Sequence, residues 1–183
     1  MTPEQRTQIL HTLWPPGGAA GMGVWAILDG AREPAVHLAL LASRLEFRCL
    51  YSGHLPRELE IVAPQLVELL PGNRLTSTLL DQAWGRSWGV LLKIDDPANL
   101  RHHLRKFLRV QDEQGRRLLF RYYDPRVLRN YLPTCTPQEL REVFGPIDSF
   151  MIESEDGEGV DTFRLQRGEL QVRRAAVAAT AAP

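Results

Sequence analysis

The chain has 183 residues, 44% of them hydrophobic, which is enough for one ordinary globular domain with its own core. Its 22 basic and 22 acidic residues leave a formal net charge of zero, so no global field draws it to nucleic acid or to a membrane surface. Cys49 and Cys135 are too few and too far apart for a disulfide framework or a thiolate metal cage, and no apolar stretch is long enough to span a bilayer.

Residues 3–14 read as a helix, with Thr2 as cap, Pro3 in the first turn and Gln5 closing a capping box. This start lacks the basic and long apolar regions of an export signal, so the expected compartment is the cytoplasm. Pro15-Pro16-Gly17-Gly18 ends the helix. Residues 24–28, Val-Trp-Ala-Ile-Leu, form the apolar run of a strand covered on both faces. A helix over 34–45 and a strand over 47–51 follow, and this strand-helix-strand rhythm points to an α/β layer with parallel pairing.

Between residues 55 and 70, Pro64 divides the segment, and 66–70 read as a strand. Residues 75–83 are helical and 90–94 are a strand. Asp96 and Pro97 start an amphipathic helix with Leu100, Leu104, Phe107 and Leu108 on its buried stripe. Arg101, His102, Arg105, Lys106 and Arg109 fall on the remaining face, which suits either solvent or an acidic partner. Asp112-Glu113-Gln114-Gly115 is a tight turn into an alternating strand over 117–123. Asp124-Pro125 opens a short helix, and Thr136-Pro137-Gln138-Glu139 opens another with a full capping box. A strand over 147–153, an acidic loop and a hairpin around Arg167-Gly168 complete the chain. The expected fold is α/β, with a central mixed β-sheet flanked by helices and a small C-terminal helix and hairpin region. One domain is expected over residues 1–174, with a disordered alanine-rich tail over 175–183.

Gly85-Arg86-Ser87-Trp88-Gly89 contains the Gly-x-Ser-x-Gly pattern of a hydrolase nucleophile. In that elbow the serine ends a strand and opens a helix. Here the expected order is helix, then turn, then strand, and no histidine follows His103 to complete a Ser-acid-His series. A small serine hydrolase built on Ser87 is therefore the alternative reading. His102 and His103 are adjacent on a helix and point apart, and the other histidines lack ligand companions, so no metal site is expected. The glycines at 17–23 precede the first strand, whereas a dinucleotide loop must follow one, so no cofactor is expected either. Asp29 lies at a strand end where α/β sheets place ligands, but an Asx turn through Gly30 suffices to explain it, as helix capping explains Asp124.

Aromatic and arginine residues are dense in two segments. Trp84, Arg86 and Trp88 in one, and Arg121, Tyr123 and Arg126 in the other, have the composition of a protein-binding hot spot and are the candidate partner-binding residues. The same composition fits a core in which Trp84, Trp88 and Tyr122 are buried and only the arginines face outward.

These segments also carry a resemblance. Trp25-Ala26-Ile27-Leu28-Asp29-Gly30-Ala31, Cys49-Leu50-Tyr51-Ser52-Gly53 and Ala63-Pro64-Gln65-Leu66-Val67 precede the Trp84–Gly89 motif. His103-Leu104-Arg105-Lys106-Phe107-Leu108 and Phe120-Arg121-Tyr122-Tyr123-Asp124-Pro125-Arg126-Val127-Leu128 follow it. Over residues 24–153 the chain resembles the effector adaptor, or effector chaperone, family of bacterial type VI secretion, long catalogued only as a domain of unknown function. The resemblance implies a non-enzymatic loading protein that binds a toxic effector in the producing cell and helps attach it to the valine-glycine-repeat spike protein. From the neutral charge and the misplaced glycines, not from the resemblance, no cofactor, no nucleic acid and no membrane is expected as partner. A third reading, a structural subunit of a larger assembly, predicts binding to apparatus proteins rather than to one toxin.

Overall fold

The computed structural model describes residues 1–17 and 21–175. The apolar run at 24–28 reflects a strand covered on both faces. In β1 (Gly23–Asp29), Val24, Ala26 and Leu28 join one hydrophobic cluster while Ile27 joins another across the sheet. The first cluster is completed by α1 (Pro3–Leu13), α2 (Pro34–Ser43) and α4 (Arg74–Thr78), which runs on as a single wider π turn through Leu79–Ala83. The second is completed by α5 (Leu100–Arg105), α6 (Pro125–Tyr131) and α7 (Pro137–Phe144). β4 (Gly89–Ile94) divides the same way, with Val90, Leu92 and Ile94 on one side and Leu91 on the other. The result is three layers, helices on both faces of one sheet.

That sheet has seven strands in the order β2-β3-β1-β4-β7-β8-β9, where β2 is Phe47–Cys49, β3 Pro64–Leu69, β7 Ile147–Glu153, β8 Val160–Gln166 and β9 Glu169–Ala175. Every pairing in it is antiparallel, which corrects the expected mixed sheet with parallel neighbours. The reason is topological. β1 and β2 do run in the same direction, as the strand-helix-strand rhythm implied, but β3 inserts between them and pairs antiparallel with both. A continuous apolar run reports burial on two faces and carries no information on direction.

Both capping boxes form, at Thr2 with Gln5 and at Thr136 with Glu139. Asp96 accepts from the backbone N–H of Ala98, but regular α5 begins only at Leu100. The short helix α3 (Arg57–Val62) lies in the segment that periodicity left unassigned. The strand expected over 117–123 is also shorter. β5 (Arg109–Gln111) and β6 (Arg117–Leu119) make a two-stranded ribbon, after which Phe120 N–H donates to Leu108 O and draws the chain into the core. Tyr122 and Tyr123 are then buried in succession, which no half-exposed strand allows. Ala175 closes β9, and the remainder of the expected tail, residues 176–183, lies outside the described residues.

His103 joins α5 to α7. Its Nε2 donates to the Val143 carbonyl at 2.9 Å, and its ring meets Phe107 edge to face with centroids 5.1 Å apart. Burial pushes its pKa down from the ordinary 6.5, outweighing the Val143 hydrogen bond, and the nearby cations Lys106 and His102 act in the same direction as burial. The unfolded chain therefore takes up a proton near pH 6.5 that the folded ring resists. Stability is expected to be full above that pH and to fall as pH drops toward the lower folded value. His103→Gln should remove this part of the slope, as urea midpoints across the window will show.

Candidate functional site

The sheet presents one end at which the two aromatic-arginine segments meet. β1 delivers Asp29 there, β4 begins there at Gly89, opposite Leu28, and β7 ends there at Glu153. The joint between the π turn and β4 is a folded loop with Gly85 at φ 81° and Ser87 at φ 57°, both left-handed. For Ser87 that conformation costs on the order of 1 kcal/mol. It is held by Glu153, whose carboxylate accepts from Gly85 N–H at 2.7 Å, Ser87 N–H at 2.9 Å and the Ser87 hydroxyl at 3.1 Å. The joint is thus a small nest of backbone donors, and the chain's own carboxylate fills it.

The serine sits between a helix and a strand, in the reverse order of a hydrolase elbow, and is 7% exposed. Burial raises the thiol pKa values of Cys49 and Cys135, keeping both protonated. No group of three or more His, Cys, Asp or Glu side chains among the described residues has the arrangement to hold a metal ion.

Carboxylate–arginine pairs surround the nest. Glu33, the residue before α2, does not cap that helix; its carboxylate instead accepts from Trp88 Nε1 at 2.7 Å and pairs with Arg86. Arg32 Nε donates to the Arg86 carbonyl at 3.0 Å. Asp29, 1% exposed, accepts from Ala31 N–H at 3.1 Å in the expected Asx turn, and it also pairs with Arg121. Asp124 caps α6 through Arg126 N–H at 3.0 Å and holds the Arg126 guanidinium by two bonds, at 2.9 and 2.6 Å. Burial pushes the Asp124 carboxyl up, but the Arg126 guanidinium and N–H, with Arg121 nearby, hold it below the usual carboxylate range. Arg129 donates to the Glu153 carbonyl, which ties α6 to the end of β7.

The six candidate residues fall into two sets. Trp88 and Tyr123 are core, at 2% and 1% exposure, and Tyr122 beside them is core as well. Trp84 is half-buried over a cavity of about 30 Å³, far below the several hundred cubic ångströms of a ligand pocket. The side chains of Arg86 and Arg126 are 52% and 55% exposed, and that of Arg121 is 40% exposed. The arginines therefore offer most of the surface, each held by a carboxylate of the chain, while Trp88 and Tyr123 anchor the loop beneath them. Sequence reasoning missed Glu33 and Glu153. The partners they fix lie 53 to 68 positions away, and no local pattern marks such pairs.

Fold and site together define a three-layer α/β domain whose sheet ends in a rim of anchored arginines. The chain belongs to the family described as Domain of unknown function (DUF4123), whose model matches residues 24–142. That span begins at the second residue of β1 and ends within α7, so it contains both aromatic-arginine segments. No curated protein and no solved structure matches the chain. No helix among the described residues is long and apolar enough to cross a membrane.

Proposed function

We propose that this protein is a non-enzymatic adaptor that binds a toxic type VI secretion effector in the cytoplasm of the producing cell and promotes its loading onto the valine-glycine-repeat spike protein. The resemblance of the motif series to that of effector adaptors supports this reading. So does one structural observation: the two aromatic-arginine segments converge on a single rim with Arg86, Arg121 and Arg126 at its surface. Guanidinium groups already fixed by their own carboxylates lose little freedom on binding, which favours recognition of carboxylates and carbonyls on a partner. The surrounding hydrogen bonds serve to hold the rim in place, and Glu153 occupies the donors of the nest.

The test separates surface from scaffold. Arg86→Ala removes a half-exposed guanidinium, and Arg126→Lys leaves Asp124 a neighbouring cation. The double variant should bind the effector at least roughly tenfold more weakly in calorimetry. Its thermal melt should stay within about 1 kcal/mol of the parent. Unchanged affinity would remove these arginines from the interface. Covalent labelling by a fluorophosphonate that disappears in Ser87→Ala would instead establish the hydrolase alternative.

A further inference from the structure

A second surface has a different chemistry. A groove of about 950 Å³ runs between the segment after β2, helix α5 and the β5–β6 ribbon. Its floor includes Leu50 and Leu108, both buried, and its walls carry Leu55 and Leu59 on one side and Leu118 and Leu119 on the other. Leu59, Leu118 and Leu119 are 51%, 47% and 52% exposed, so apolar side chains stand open to water on both walls. Arg105, Lys106, Arg109 and Arg117 line the same groove, with His102 beside them. None of these four cations is ion-paired among the described residues, in contrast to the arginines of the rim.

The walls are fixed in relation to one another. Arg101 of α5 donates to the Cys49 carbonyl at 2.9 and 2.8 Å and reaches the Tyr51 carbonyl at 3.4 Å, which clamps one wall to the helix. The Phe120 N–H to Leu108 O bond, at 2.9 Å, anchors the base of the ribbon to the other side. A preformed cleft with leucine walls and unpaired cations is complementary to a chain segment bearing apolar side chains between carboxylates. A nucleic acid strand fits less well, because the exposed apolar groups are leucines and the one tyrosine of the lining, Tyr51, is half-buried. A membrane surface also fits less well, because the apolar groups line a concavity rather than a projecting face.

We infer that this groove is a docking site for an acidic amphipathic peptide segment of a partner protein, with leucine-type side chains seated between the walls and carboxylates on Lys106, Arg109 and Arg117. The inference stands on the groove's own chemistry and does not rest on the adaptor reading.

Selection of a phage-displayed random peptide library on the full chain tests it, with the enriched peptides then measured by fluorescence anisotropy. The enriched sequences should combine Leu, Ile or Phe with Asp or Glu. Lys106→Glu with Arg109→Glu should weaken them at least roughly tenfold, as should Leu118→Ser with Leu119→Ser, while circular dichroism reports an unchanged fold. Higher salt should weaken them too. Absence of enrichment overturns the inference, as does enrichment of peptides without carboxylates or indifference to both double variants. Binding of a poly-thymidine strand or phosphatidylserine vesicles in place of peptide also overturns it. A chain that forms a complex with an effector but enriches no acidic peptide leaves the adaptor standing and removes the groove.

Discussion

Gly89→Ala is expected to cost at least about 4 kcal/mol or to abolish folding, whereas Gly85→Ala, in the same five-residue pattern, should cost only about 1 kcal/mol. The two glycines serve different purposes. A methyl at Gly89 would lie 2.1 Å from the Ile27 carbonyl oxygen and 3.0 Å from Leu28 Cα, both backbone atoms of the neighbouring central strand. No rotamer relieves that contact, so β1 and β4 must part where Leu28 faces Gly89. At Gly85 nothing stands within 4 Å of the added carbon, and only the left-handed φ of 81° opposes it. Urea melts of the two variants will measure the difference. Equal, small losses would mean that the sheet tolerates separation at this end and that the glycine pattern serves something other than packing.

Loss of Arg121 should be the most damaging single side-chain removal at the rim. Asp29 is 1% exposed, and without the guanidinium its carboxylate retains the Ala31 N–H within the protein. A buried charge stripped of its partner costs about 3–5 kcal/mol, and the 40% exposure of the Arg121 side chain lowers the expectation to about 2–3 kcal/mol. Asp29→Asn removes the charge and keeps the turn acceptor. The double variant Asp29→Asn with Arg121→Ala should therefore be more stable than Arg121→Ala alone, giving a coupling of about 1–2 kcal/mol in a double-mutant cycle. Strict additivity would mean that the pair contributes no more than a solvent-exposed contact.

Local chemistry made most of the elements legible. The caps at Thr2, Asp124 and Thr136 are short-range devices written within four residues, and each forms. The hairpin joining β8 and β9 and the strand over 147–153 follow from turn residues and apolar spacing in the same way. What periodicity could not encode was the neighbour of each strand. The insertion of β3 between β1 and β2 depends on the whole sheet, and α3 is too short and too exposed to leave an apolar stripe. The candidate site was half legible for the same reason. Composition singled out Arg86, Arg121 and Arg126, which the structure leaves at the surface; it left open whether Trp88 was surface or core and grouped Tyr123 with the arginines, and the structure buries both. Asp29 shows the limit well. Its Asx turn is a two-residue matter visible in the sequence, while its ion pair with a residue 92 positions away is not.

The adaptor reading is tested most directly by co-expressing the chain with the proteins encoded by the genes flanking its own and measuring the products by size-exclusion chromatography with light scattering. A defined complex of this chain with an effector is expected, joined by the spike protein when that is present, and weakened by Arg86→Ala with Arg126→Lys. A chain that elutes alone at its monomer mass of 20.7 kDa in every combination would contradict it.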